Sequence, residues 1–414
     1  MDIFELMNVV ERVDVTGIQP KDLIRDNEVY IPKNLWLSLK ETYTKEEIIS
    51  LLNRAVDENE IPFPYVEISK DKAQREYEDL LQVNSFSQFS LENWSCKKLK
   101  SDKWNFPFYN GQGVLLSRNY KGLKASDYFQ NKVRMECGHA RFVSPVYKWS
   151  NLRSRTSMWQ PMWSLDMDYL DKDVCKKLIN LRSYIASQFR PASAKAVYDV
   201  FKAKRVLDFC SGWGDRLCGF YASQSEEYVG IDPNSSMHPC YQKQFEFYNR
   251  AVNKKAEFIC SGSENADLSE YKEYFDLVLT SPPYFDTERY TDEETQSIVK
   301  HSNFDNWMKG YFFPTLDKCW DSLAEGGRII LNINDINDWI NKKQHYLCKP
   351  MIDYMTSKEG CSYEGILGYG LAKSQTQRDN GRFMIENQIG EPMFVFAKGD
   401  AKPPLFLQES LFFD

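Results

Sequence analysis

Histidine is scarce in this 414-residue chain, with four in total, and none of its ten cysteines forms a Cys-x-x-Cys pair. A structural zinc site of ordinary ligand spacing is not expected. Cys137-Gly138-His139 is too small a group to supply one, and reduced intracellular thiols are the better reading. No apolar run approaches the roughly 20 residues needed to span a bilayer. Met1-Asp2-Ile3-Phe4-Glu5 lacks the basic and apolar regions of a secretory leader. A cytoplasmic protein without membrane contact is expected. Internal repeats and low-complexity tracts are also missing, as is the Gly-x-Ser-x-Gly elbow of serine hydrolases. The net charge of −7 argues against a uniformly basic nucleic-acid binder.

The average charge hides an asymmetry. Residues 1–90 carry 18 Asp/Glu against 10 Lys/Arg, whereas residues 97–155 carry 13 Lys/Arg against 3 Asp/Glu. Residues 1–95 read as an acidic, mainly helical segment, with Thr42 or Thr44 capping a helix that opens at Lys45-Glu46-Glu47. Residues 96–180 form a basic, aromatic-rich region. There Lys97, Lys98, Lys100 and Lys103 precede Trp104, Phe106, Phe108 and Tyr109, and Arg118, Tyr120, Tyr147, Trp149, Arg153, Arg155 and Trp159 follow. Cations meet phosphates and aromatic faces stack on bases, so this mixture suits a nucleic-acid groove. It suits equally a domain whose aromatics are core and whose lysines are solvated.

From residue 181 to 400 the pattern alternates. Val206-Leu207-Asp208-Phe209, Tyr228-Val229-Gly230-Ile231-Asp232 and Ala256-Glu257-Phe258-Ile259-Cys260 read as strands, followed by Phe275-Asp276-Leu277-Val278-Leu279-Thr280 and Arg328-Ile329-Ile330-Leu331-Asn332-Ile333. Helical periodicity separates them, including one long helix expected over 304–323. The prediction is an α/β fold, a doubly wound and mostly parallel sheet with helices on both faces. Strands near 363–367 and 392–396 would close it as an antiparallel edge hairpin, leaving 401–414 as a tail.

Two turns in this region carry chemistry. Cys210-Ser211-Gly212-Trp213-Gly214 joins the first strand to a helix, where glycines let the backbone approach a ligand. Asp232, ending the next strand, is placed to take the two hydroxyls of a ribose. A dinucleotide would want a third glycine where Leu217 stands, so a ligand without pyrophosphate is favoured, S-adenosylmethionine being the common one. The second turn is Ser281-Pro282-Pro283-Tyr284. Its prolines have fixed φ and no N–H, leaving carbonyl oxygens preset as acceptors, and Pro282 holds Ser281 away from helical geometry. With the Tyr284 ring beside it, this corner can grip a planar group bearing NH2. Pro239-Cys240 follows the second strand and not the fourth, which argues against cytosine-C5 chemistry through a cysteine nucleophile.

Together, Asp208-Phe209-Cys210-Ser211-Gly212-Trp213-Gly214 and Thr280-Ser281-Pro282-Pro283-Tyr284 resemble the cofactor and catalytic motifs of amino-methyltransferases acting on DNA bases. Phe189-Arg190-Pro191 is similar to that family's helix-end motif, and Glu391-Pro392-Met393-Phe394-Val395-Phe396 to its last strand. The resemblance covers roughly residues 185–398. Phe209-Cys210 departs from the usual Pro-Phe pair, and Trp213 from the usual small residue, leaving Trp213 as a stacking wall or plain core.

The resemblance implies a Rossmann-like class I methyltransferase fold, S-adenosylmethionine as cofactor, DNA as partner, and methyl transfer to adenine N6 or cytosine N4. By it, Phe189, Arg190 and Pro191, then Asp208, Cys210, Ser211, Gly212 and Gly214, contact the cofactor. Asp232 and Pro233 join them, as does Ser263 or Glu264 after the third strand. Ser281, Pro282, Pro283 and Tyr284 would be catalytic. Ser281 Oγ and the Pro282 carbonyl draw the amine hydrogens while Tyr284 stacks on a flipped base. The acidic segment 286–294 is expected as a solvated loop that could close over substrate. Arg289, Tyr290, Lys373 and Arg378 are candidate substrate contacts. An RNA-directed enzyme and a catalytically silent binding subunit are the alternatives.

Overall fold

The computed structural model describes residues 12–92, 109, 113–139, 141–338, 343–371, 383–385 and 388–404. It forms two compact units, one of residues 1–66 and 134–186, the other of residues 67–133 and 187–414. These limits differ from the expected boundaries at 95 and 180. The described residues of the basic aromatic stretch fall in both units, with the division at residues 133 and 134.

The larger unit is built on strands β1 (Phe89–Glu92), β2 (Gly113–Leu116), β3 (Arg205–Asp208), β4 (Glu227–Asp232) and β5 (Lys255–Cys260). β6 (Phe275–Thr280), β7 (Leu323–Asn332), β8 (Cys361–Leu371) and β9 (Gln388–Lys398) complete the path. They lie in the order β1-β2-β8-β9-β7-β6-β3-β4-β5, with a short strand Phe383–Ile385 paired to β9. The pairs β3–β4, β4–β5, β3–β6 and β6–β7 are parallel, and β9 runs antiparallel to both β7 and β8. This is the doubly wound Rossmann-like α/β sheet, and the antiparallel pair β8–β9 expected at its edge lies inside it, with β2 and β1 beyond.

Val206, Leu207 and Asp208 of β3, and Leu277 through Thr280 of β6, are all buried. Parallel strands covered by helices on both faces lose the in–out alternation and read as continuous apolar runs, which is why they were legible. The sheet extends further than expected. β2 adds parallel to β8 through Gly368↔Leu115 and Tyr369↔Leu116, and β1 pairs antiparallel to β2.

Helices α1 (Pro191–Val200), α2 (Asp215–Ala222) and α3 (His238–Val252) connect the strands around the first turn. The expected single helix over 304–323 is interrupted. Phe304–Trp307 is α-helical, Met308–Phe312 is a π turn, and α4 resumes at Phe313–Ser322. Pro314 cannot donate to the carbonyl four residues earlier and its ring would crowd it. The wider π turn admits the proline without breaking the rod.

The smaller unit is a helical cluster around Trp36, Trp159, Leu52 and Leu178. Of the two expected caps it is Thr44, not Thr42, that caps Lys45–Glu58, in a capping box with Glu47. Trp149 and Trp159 are core, and Arg155 is buried with its guanidinium 2.5 Å from Asp57. These three members of the basic aromatic stretch hold the unit together and present no face to a ligand. Among the described residues no helix is long and apolar enough to cross a membrane.

α1 and α2 touch at Gly219, where an added Cβ would lie 2.6 Å from the Pro191 carbonyl and 2.7 Å from Ala194 Cβ. Backbone on one side leaves no room to yield. Gly219→Ala should therefore destabilise the larger unit by about 1–3 kcal/mol, read as a lower urea midpoint with unchanged slope.

Candidate functional site

The site lies at the carboxyl ends of β3, β4 and β6, where an open parallel sheet leaves a crevice between diverging connections. It is a partly open cleft between the two turns. Cys210, Gly212, Asp232, Pro233, Ser263, Ser281, Pro283 and Tyr290 were all candidates from sequence, and all line it. The glycine turn and the Ser-Pro-Pro turn, 70 positions apart in the chain, thus face one space.

Asp208 is organised differently. It has no exposed surface and does not line the cleft. Its carboxylate accepts Arg216 Nε at 2.8 Å and Nη2 at 3.2 Å, the Tyr228 hydroxyl at 2.8 Å and the Thr280 hydroxyl at 2.9 Å. Arg216 also donates to the Cys210 carbonyl. The residue therefore ties β3 to β4, β6 and the start of α2, and acts on the cleft through them.

The glycine turn needs its glycines. Gly212 and Gly214 have φ of +55° and +74°, the left-handed region that costs other residues energy. Gly212 donates its N–H to Asp232 at 2.7 Å, and Asn234 N–H reaches the other carboxylate oxygen at 2.9 Å. Each oxygen keeps a lone pair for a further donor. Burial pushes the Asp232 carboxyl up to about 7, outweighing the lowering effect of these two backbone bonds. A ligand offering hydroxyl hydrogens here would restore the charge that burial opposes.

Phe189, Arg190 and Pro191 stand elsewhere, as do Ser211 and Glu264. Phe189 stacks on Tyr369 at 4.9 Å, and Arg190 donates to the Tyr369 hydroxyl and, at 2.6 Å, to the Gly370 carbonyl. With Pro191 opening α1, this motif is held by the end of β8, off the cleft wall. Ser211 Oγ is buried near the Tyr228 hydroxyl, 3.3 Å away. Ser263 lines the cleft while its hydroxyl donates to the Phe209 carbonyl. Glu264 pairs with Lys300, 2.7 Å distant, and is not part of the cleft wall.

Pro282 is buried beneath the turn, and Tyr284 is half-buried against the apolar cluster of the sheet. Arg289 is exposed. Lys373 and Arg378, like Lys97, Lys98, Lys100 and Lys103, lie outside the described residues.

The acidic segment is not a free solvated loop. Glu293 accepts from the Ser235 hydroxyl and N–H and from Thr291 Oγ1, and Thr295 Oγ1 donates to the Pro233 carbonyl at 3.3 Å. Residues 290–297 thereby form a strap whose Tyr290, Thr295, Gln296 and Ser297 wall the cleft. Trp213 is also wall, meeting the Tyr290 ring edge-on at 5.7 Å.

Sequence reasoning missed Tyr311, whose hydroxyl lies 3.2 Å from Cys210 Sγ. It comes from the π turn, and no motif marks it. Asn234, Met237 and Gly262 were missed too, although Asn234 and Gly262 adjoin the candidates Pro233 and Ser263. Among the described residues no group of three or more His, Cys, Asp or Glu is placed to hold a metal ion.

No protein-family model matches the sequence, and no curated protein matches it. Parts of solved structures are similar in fold. PH0851 gives a TM-score of 0.34 at 14% identity over 52% of this chain and 47% of that one. TrmN from Thermus thermophilus gives 0.31 at 14%, over 50% and 48%. A SAM-dependent O-methyltransferase from Thermotoga maritima gives 0.29 at 11%, over 55% and 71%. This chain therefore spans about half the length of the first two. Similarity at this level carries no function across.

The pH response of Asp232 is testable without any ligand. Its folded pKa is raised, so the folded state holds a proton that the unfolded state releases near pH 4. Its contribution to stability should be present below about pH 4 and fade as pH rises towards 7. Asp232→Asn should flatten this part of the pH profile, so the variant gains on wild type between pH 5 and 7.5 in urea unfolding. A parallel pair of profiles would remove the assignment.

Proposed function

We propose that this chain is an S-adenosylmethionine-dependent methyltransferase acting on the exocyclic amine of a base in DNA, at cytosine N4 or adenine N6. The observation that carries the proposal is the shared cleft: Asp232 and the glycine turn form one wall while Ser281 and Pro283 form another.

The cofactor would be held by residues whose chemistry fits it. Asp232 offers lone pairs to ribose hydroxyls, and Gly212 and Gly262 bring bare backbone close. Met237 and Trp213 supply apolar wall for a heterocycle, with Ser263 and Tyr311 completing the surface. When bound, S-adenosylmethionine supplies an electrophilic methyl group on sulfur.

The remaining work falls to the Ser-Pro-Pro turn. An exocyclic amine is a poor nucleophile because its lone pair is delocalised into the ring. Ser281 is half-buried, and its hydroxyl has no hydrogen-bond partner among the described residues. That hydroxyl and the Pro282 carbonyl accept the amine hydrogens, which localises the lone pair on nitrogen. Two prolines hold these acceptors in one geometry before substrate arrives, so little reorganisation accompanies reaction. Tyr284 supplies the face on which a flipped base stacks. The strap carrying Tyr290 excludes water from the cleft beside it.

Incubation with methyl-labelled S-adenosylmethionine and duplex DNA, single-stranded DNA or RNA, followed by digestion to nucleosides, tests the proposal. Label on an exocyclic amine of DNA is expected. Label in RNA alone would replace DNA as the substrate, and no label, or label only at cytosine C5, would overturn the amine mechanism. Ser281→Ala combined with Tyr284→Ala should abolish transfer and leave cofactor affinity within a few-fold. Lost cofactor binding would mean that the turn belongs to the cofactor site.

A further inference from the structure

Phe285, directly after the Ser-Pro-Pro-Tyr turn, adopts φ +50°. A bulky side chain in the left-handed region is strained and persists only where its surroundings hold it. The surroundings are aromatic. The Phe285 ring is 6% exposed and meets Phe304 at 5.5 Å, Trp307 at 5.9 Å and His345 at 5.6 Å, all edge-on. His345 in turn stacks on Phe304 at 4.3 Å. The Tyr284 carbonyl accepts Thr287 N–H at 3.0 Å, closing a tight turn around the strained residue.

Trp307 is fully buried and joins this anchor to the cleft. Its indole N–H donates to Ser297 Oγ at 3.1 Å, and its ring lies 5.1 Å from Tyr311. Ser297 and Tyr311 both line the cleft. One tryptophan thus touches the residue after the catalytic turn, the strap, and the floor residue that meets Cys210.

We infer that Phe285 and Trp307 are positioning residues for methyl transfer, holding the Ser281–Tyr284 acceptors in register with the cofactor cleft without touching either reactant. The inference rests on the proposed methyltransferase reading of that site. Aromatic packing at these distances supplies both burial and orientation, and the strain at Phe285 is held by that packing. Freeing the ring lets the backbone relax away from φ +50°, which re-aims the Ser281 hydroxyl and Pro282 carbonyl. Cofactor affinity depends chiefly on Asp232 and the glycine turn, which Phe285 does not contact, and Trp307 reaches the cofactor surface only through Tyr311 and Ser297.

The test compares Phe285→Ala, Phe285→Leu and Trp307→Phe with the wild-type chain. Phe285→Ala should lower the single-turnover transfer rate on the order of 100-fold while the dissociation constant for S-adenosylmethionine changes by less than about threefold. Phe285→Leu keeps an apolar anchor and should recover much of that loss; it also serves if the alanine variant does not fold. Trp307→Phe keeps the ring but loses the bond to Ser297, and should give an intermediate rate. Equal losses in rate and cofactor affinity in all three would overturn the inference in favour of a general structural role.

Hydrogen exchange reads the same variants without reference to activity. Faster exchange at residues 284–290, with β3 and β4 unchanged, supports the positioning role even if the acceptor proves not to be a DNA base. Unchanged exchange at 284–290 overturns it, whatever reaction the wild-type chain performs.

Discussion

One buried carboxylate organises the larger unit. Asp208 ends the first strand of the Rossmann-like half and is engaged by Arg216, Tyr228 and Thr280. Withdrawing an Arg–Asp pair from water costs several kcal/mol per ion, and only good geometry with full hydrogen bonding offsets it. Here one acidic oxygen accepts from Arg216 Nε and the Tyr228 hydroxyl, and the other from Arg216 Nη2, the Thr280 hydroxyl and, at 3.4 Å, the Cys210 N–H, so the network is closed. Its placement matters as much as its strength. Arg216 also grips the Cys210 carbonyl in the glycine turn, and Thr280 immediately precedes Ser281. Both walls of the cleft are therefore referred to a single point.

The second constraint is the contrast between two acids at neighbouring strand ends. Asp208 is paired with a guanidinium, whereas Asp232 has only backbone donors and sits at the cleft wall. Burial without a cation raises the Asp232 carboxyl. The difference separates a structural acid from one with capacity to spare for a ligand. Glu293, on the strap, is a third case. Bonds to Ser235 and Thr291 lower it despite its burial, which keeps the strap's acid charged and docked.

Much of this was legible from sequence for identifiable reasons. β3, β4, β6 and the second half of β7 are largely apolar runs, whereas β5 at the edge alternates, and the two turns carry residues whose backbone chemistry is local. Pro282 and Pro283 fix their own φ wherever they stand, and Gly212 and Gly214 permit the positive φ that other residues avoid. β1 and β2 escaped because their place depends on pairing with β8, some 250 residues away. Trp149, Trp159 and Arg155 were ambiguous because an aromatic beside a cation serves a core and a ligand surface equally well; burial resolved them as core. Tyr311 and Phe285 escaped because a π turn and a left-handed phenylalanine are set by packing, and no local pattern encodes them.

Local chemistry thus determined, unaided, the alternating α/β order, the glycine turn with its acid on the next strand, and the rigid Ser-Pro-Pro corner. Each follows from side-chain period or from the φ that a glycine or proline permits, and these act over a few residues. Only the tertiary structure decided that Asp208 serves the fold while Asp232 faces the cleft, and that an acidic segment becomes a wall. It also packed an aromatic cluster around Phe285, the residue that follows the corner. Those outcomes depend on which groups burial brings together, and burial is a property of the packed chain as a whole.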